Sequence, residues 1–147
     1  MTAADEVRAM FPGHSFGAPC TEEDIRRAEG ALGELLPPIL RELYLSFNGF
    51  LGSTNAGFFW SLFGREGLVE LNLFYRGHNV FPAELMSQCL FFGDNGCGQQ
   101  WGFKRDLPGR VIQWDAEWGQ DFEIVAGDPV DAWRVEKQLY DASDEQL

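Results

Sequence analysis

Between residues 21 and 49 the apolar positions recur at helical spacing, and from residue 88 onward they fall into short runs bounded by turn residues. In the first stretch, TEEDIRRAEGALGELLPPILRELYLSFNG, the residues Ile25, Ala28 and Leu32 share one helical face. Leu40, Leu43, Tyr44 and Phe47 share the buried side of a second helix. Thr21 is an N-cap residue, with Asp24 placed to reach back and complete a capping box. Gly33 suits the left-handed residue that ends a helix. Pro37 and Pro38 fit the first turn of the next one, where a missing N–H costs nothing. Asn48-Gly49 closes it. Helices are therefore predicted at 22–32 and 38–47, with a shorter one at 5–10 stopped by Pro12-Gly13.

The stretch 49–57, GFLGSTNAG, reads as a loop. FFWSLF at 58–63 is an aromatic run between Gly57 and Gly64 and predicts a strand. Residues 67–76, GLVELNLFYR, carry two periods at once. Leu68, Leu71 and Tyr75 suit a helix, whereas Val69, Leu71 and Leu73 suit a strand; a short helix at 66–74 is the reading taken. One helical turn is expected at 82–86. Strands follow at 88–93, 99–105, 110–115 and 121–125, the first two joined by the turn GDNGCG. VIQW alternates poorly, as a strand covered on both faces at its start would. Asp128 caps a closing helix with Pro129 at its first position, and Val130, Trp133, Leu139 and Tyr140 form its apolar side.

Helices, then strands, then a helix is an α+β order: a single domain with an antiparallel sheet of about four to six strands, flanked by two N-terminal helices and a C-terminal helix. Residues 1–20 read as a variable lead-in, 21–140 as the domain, and 141–147 as an acidic tail, frayed over ASDEQL.

Charge narrows the choice of partner. The net charge of −12 argues against a nucleic acid or an anionic membrane as a ligand. It fits a protein with a basic surface, and it equally serves solubility. The 14% aromatic content fills a core or supplies rings to a binding face. The first twenty residues lack a signal-peptide apolar core, and the longest apolar run, at 57–63, is too short to span a bilayer. Cys20, Cys89 and Cys97 are widely spaced, with no CxxC pair and no zinc spacing, which fits reduced thiols in a cytoplasm.

Few residues have the makings of catalysis. His14 and His78 lie in loops with no nucleophile paired to them in the sequence. Cys97 stands between glycines, but no neighbouring cation or helix N-terminus would activate it. A calcium loop starting at Asp94 fails because its twelfth residue is Arg105 rather than Glu. Gly93, Gly96 and Gly98 precede a strand and so do not cradle phosphate. No metal or cofactor is expected.

One constellation remains, WDAEWGQDFE at 114–123. Asp115 and Glu117 share a side of an extended segment, as do Asp121 and Glu123, with Trp114 and Trp118 interleaved. Four carboxylates beside indole rings make a candidate surface for a basic partner. The same residues also suit the solvated outer face of an edge hairpin. The loop with Phe50, Asn55 and Trp60 is the alternative contact region. A hydrolase using Asp115 with Asp121 would need a cleft and one raised pKa, and nothing in the sequence points to either.

Three blocks resemble a known group. The first comprises the capped helix at Thr21, Glu29, Leu32-Gly33, Leu36-Pro37 and Asn48-Gly49. The second is LFFGDNGCGQQWGF at 90–103, with Gly93, Asp94, Asn95, Gly96 and Trp101. The third is Asp131-Ala132-Trp133. Together these resemble the SUKH superfamily of Smi/Knr-type regulators and bacterial immunity proteins. The resemblance implies the same α+β architecture and a non-catalytic protein-binding module. It implies an immunity protein that neutralises a cognate bacterial toxin, possible targets including basic nucleases. The alternative it implies is a regulatory scaffold that binds a signalling or cell-wall component.

Overall fold

Two threonines start helices in the same way. Thr2 and Thr21 accept the backbone N–H of Asp5 and Asp24, and each aspartate accepts the threonine N–H in return, at 2.9–3.1 Å. These bonds to the ionised carboxylates hold Asp5 and Asp24 below the usual carboxylate range. The computed structural model describes residues 1–145. Its helices are α1 (Ala3–Met10), α2 (Glu22–Leu32), α3 (Pro38–Ser46), α4 (Leu68–Gly77), α5 (Ala83–Gln88) and α6 (Pro129–Glu145). Its strands are β1 (Cys89–Asp94), β2 (Gln99–Lys104), β3 (Val111–Asp115) and β4 (Glu123–Ala126). They form one antiparallel sheet in the order β1-β2-β3-β4. The α+β expectation holds, with four strands.

The turn between α2 and α3 is built from side-chain chemistry. Gly33 ends α2 at φ 74°, and its N–H donates to the Glu29 carbonyl at 2.9 Å. The Glu29 carboxylate crosses the turn to accept the Leu36 N–H at 2.8 Å, just before Pro37. Asn48 does more than close α3: its Oδ1 accepts the Leu62 N–H at 2.7 Å and pins the next segment.

Side-chain alternation in the strands creates two cores. Leu90, Phe92, Trp101 and Val111 join Tyr44, Phe47 and Trp133 in the larger one, to which α1 contributes Ala4 and Val7. Cys89, Phe91, Ile112 and Trp114 face the other way, against Trp60, Leu85 and Met86. Both faces of β1 are thus covered, so its apolar run shows no period of two. The start of β3 is buried on both faces as well, as its poor alternation implied.

The outer edge of β1 is occupied along its length. Asn72, buried in α4, donates to the Phe91 carbonyl and accepts the Phe91 N–H, both at 2.8 Å, as a neighbouring strand would. Arg76 donates to the Cys89 carbonyl at 2.8 Å. The Trp60 N–H reaches the Phe92 carbonyl at 2.9 Å, and the Asp94 N–H reaches Gly57 at 2.8 Å. Gly93 is required here, because a Cβ would lie 2.0 Å from the Phe58 carbonyl oxygen.

Three expectations need correction. The strand at 58–63 is absent: Phe59 pairs with Phe50 on one side while Trp60 bonds β1 on the other, so no run of consecutive pairs forms. The helix α4 starts at Leu68 and runs to Gly77, beyond the expected 74. In α6 the apolar side ends at Trp133; Leu139 and Tyr140 are exposed, and the helix continues through Glu145 instead of fraying at 142. A Lys137–Asp141 pair at 2.5 Å supports that extension. The last two tail positions, Gln146 and Leu147, lie outside the described residues.

Candidate partner-binding site

The acidic segment 114–123 links β3 to β4. Trp114 is fully buried, its ring stacked on Phe91 at 5.6 Å, and its indole N–H donates to the Gly119 carbonyl at 2.8 Å. It anchors the connection from below and presents nothing to a partner. Asp115 and Glu117 do not share an extended side, because a 3₁₀ turn spans Ala116–Trp118. The Asp115 carboxylate is already engaged, accepting the Glu117 N–H at 2.9 Å and the Gln99 side-chain amide at 2.8 Å. Glu117, Asp121 and Glu123 are exposed and Trp118 is partly so. Of the acids and indoles in this segment, the ones exposed to solvent are therefore the Glu117, Asp121 and Glu123 carboxylates and part of the Trp118 indole.

The alternative region divides in the same manner. Phe50 is buried in the larger core, ringed by Phe11, Phe47 and Trp133. Asn55 is exposed at φ 61°, a left-handed conformation that asparagine tolerates. Trp60 is 8% exposed, and its indole N–H donates to Asp94 at 2.9 Å. All three border a groove of about 1090 Å³ that runs from residues 13–17 past Trp60 to Tyr75, Asp94 and Gln100. Among the described residues its lining carries the carboxylates of Glu66 and Asp94 and the imidazole of His14, with neither Lys nor Arg. Tyr75 lies between Phe81, Phe91 and Trp114, and burial, then the negative charge of Asp94, pushes its hydroxyl pKa up.

Sequence reasoning treated Asp94 as a turn residue only and passed over Tyr75 and Gln100. The turn reading is correct as far as it goes: the Asp94 and Asn95 carboxylate and amide oxygens accept the Gly96 and Cys97 N–H groups at 2.9 Å. Asp94 and Gln100 meet because they are cross-strand partners in β1 and β2. That pairing follows a register shift between Phe91 and Gly93, which no local pattern reveals.

His14 is exposed, with Nδ1 3.0 Å from the Leu51 carbonyl, and His78 is exposed near Phe74 and Phe81. Among the described residues no cluster of three or more His, Cys, Asp or Glu could hold a metal. No helix among them is long and apolar enough to cross a membrane. The thiols are unpaired and differ sharply. Burial pushes Cys20 to about 11 and Cys89 to about 12, while Cys97 is exposed. A thiol reagent at about pH 8 is accordingly expected to label Cys97 rapidly, with the other two reacting only after unfolding. Equal rates for all three, followed by absorbance and mass spectrometry on the native protein, would contradict this burial.

No curated protein matches the chain. A family model does, that of the SMI1 / KNR4 family (SUKH-1), over residues 19–133. The match takes in the capped α2, the Glu29 turn, the Asn48-Gly49 pin, the β1–β2 hairpin and the buried Trp133. Covering more than three quarters of the sequence, it places the chain in the SMI1 / KNR4 family (SUKH-1).

Proposed function

We propose that this chain is a non-catalytic protein-binding module, an immunity protein that occupies a cognate bacterial toxin with a basic surface. Membership of a family that includes toxin immunity proteins as well as Smi1/Knr4-like members carries the reading. A nuclease fits as the toxin, since exposed carboxylates can lie where nucleic-acid phosphates would otherwise bind. The net charge of −12 and the free Glu117, Asp121 and Glu123 supply the complementary field. The test is recovery of the partner by the tagged protein from its native host, followed by rescue of that partner's toxicity on co-expression. A recovered partner that is not toxic would remove the immunity reading.

Association with such a partner is expected to exceed the roughly 10⁵–10⁶ M⁻¹s⁻¹ of neutral pairs at low salt and to fall about tenfold or more as salt screens it. Reversing Glu117, Asp121 and Glu123 to Lys should lower that rate, with a smaller change in dissociation. Asp115 is left unchanged in this variant, because its carboxylate holds the turn. Stopped-flow traces that ignore both salt and charge reversal would rule out steering by this surface.

A regulatory scaffold binding a signalling or cell-wall component is the second reading, favoured by the SMI1 / KNR4 character of the matched model. A toxin-like gene directly upstream distinguishes the first reading from it.

A further inference from the structure

We infer that the groove beside α4 and the β1–β2 hairpin receives an arginine side chain of the protein partner, with Asp94 as its counter-ion. The inference rests on the protein-binding reading above and gives that reading a specific contact.

Asp94 is held ready for this role. Its Oδ2 accepts the Trp60 indole N–H and its Oδ1 accepts the Gly96 N–H, both at 2.9 Å. Each carboxylate oxygen has a second lone pair, so the group can still accept two further bonds in a fixed orientation. Directly opposite on β2 stands Gln100. Opposed residues of an antiparallel pair place their Cβ atoms about 4.5–5.5 Å apart. The Gln100 Oε1 is buried, and no donor among the described residues reaches it. A buried acceptor left in that state costs free energy, and a turn of the Gln100 side chain, itself part of the inference, brings this oxygen to the groove, where an outside donor meets it. The next residue in this row, Trp114, carries Tyr75 edge-on at 5.8 Å, and Tyr75 also lines the groove.

The occupant follows from these groups. A cation suits the groove, because Glu66 and Asp94 line it and, among the described residues, no Lys or Arg does, with His14 at the opposite end by residues 13–17. It must bring several donors to a carboxylate and an amide oxygen side by side. It must also tolerate aromatic walls, here Trp60 and Tyr75. A guanidinium meets all three demands: its planar fork offers five donors, and it is weakly hydrated and at home against rings. An ammonium group is a compact, strongly hydrated point charge with three donors and fits less well. The remaining groove, out to residues 13–17 and Leu51, has room for the partner loop that bears the side chain.

The test uses the full chain labelled with ¹⁵N and two blocked tripeptides, acetyl-Gly-Arg-Gly-amide and acetyl-Gly-Lys-Gly-amide. The arginine peptide should shift the Trp60 indole, the 94–96 amides and the Gln100 side-chain amide, saturating in the millimolar range expected for one anchored side chain. The lysine peptide should bind about fivefold or more weakly. Asp94→Asn should weaken arginine binding about tenfold. Because Asp94 also holds the turn and Trp60, the decisive variant is Gln100→Leu, which removes an Oε1 that accepts from no donor among the described residues. It should keep the native spectrum and lose about fivefold or more in arginine affinity.

Absence of localised shifts at about 50 mM arginine peptide, or equal binding of the two peptides, overturns the inference. Parallel capture from the native host separates the two readings. A partner held equally well by the wild type and by Gln100→Leu removes the groove and leaves protein binding intact. Arginine-peptide binding without any captured partner leaves the arginine site and removes the protein-binding reading.

Discussion

Trp133→Ala is expected to cost about 4 kcal/mol of folding stability, the range for deleting a large buried aromatic. The indole is fully buried and packs against Phe50 at 5.0 Å, Phe59 at 5.6 Å and Phe92 at 5.8 Å. Its N–H donates to the Phe58 carbonyl at 2.9 Å, so one side chain ties α6 to the 50s loop, the 58–59 segment and β1. Truncation leaves a cavity among rings that cannot all collapse into it, together with a buried carbonyl short of its donor. Urea unfolding reads the effect as a shift of about 2 M in midpoint, taking a slope near 2 kcal/mol/M for a small domain. Trp133→Phe separates the two contributions, since it keeps an aromatic ring and removes the N–H, for an expected loss of about 1–3 kcal/mol. An alanine variant within about 1 kcal/mol of wild type would show that the core closes around the gap.

Asn72→Leu is expected to cost about 3 kcal/mol. Leucine keeps the branched shape, but its methyls cannot stay 2.8 Å from the Phe91 backbone as the amide does, so displacement of α4 from β1 adds to the lost bonds. The Phe91 N–H and carbonyl lose both their partners, and the amide's bond to the Leu68 carbonyl at 2.8 Å goes as well. Two buried backbone groups without partners each carry a desolvation penalty. Hydrogen exchange gives the local check: the Phe91 amide should lose protection far more than amides of the β2–β3 ladder. Uniform loss across the sheet would instead mean that Asn72 acts on global stability alone.

How much of this was legible in advance depended on whether a feature is local. The caps at Thr21, Gly33 and Asp128 were readable because each is specified within four residues. The four strands were bounded by turn chemistry in the same way. The 58–63 run failed because its aromatic residues are buried by tertiary packing, while its backbone splits between two neighbours. Leu139 and Tyr140 failed because helical period says which residues share a face, not how far the neighbouring layer extends beneath it. In the candidate site, the exposed acids were visible as composition. Trp114 was misplaced because a strand covered on both sides buries residues of either parity. The Asp94–Gln100 pair was out of reach, since it exists only through the strand register.

The cover that Asn72, Arg76, Trp60 and Gly57 give to β1 also limits how copies of this protein can assemble. Main-chain growth of a sheet needs a margin with free amides and carbonyls. Among the described strands only β4 can offer one, being last in the order. Two molecules joined β4 to β4 would turn a closed margin outward at each end. Self-association by that route therefore terminates as a closed pair and cannot propagate into a fibre.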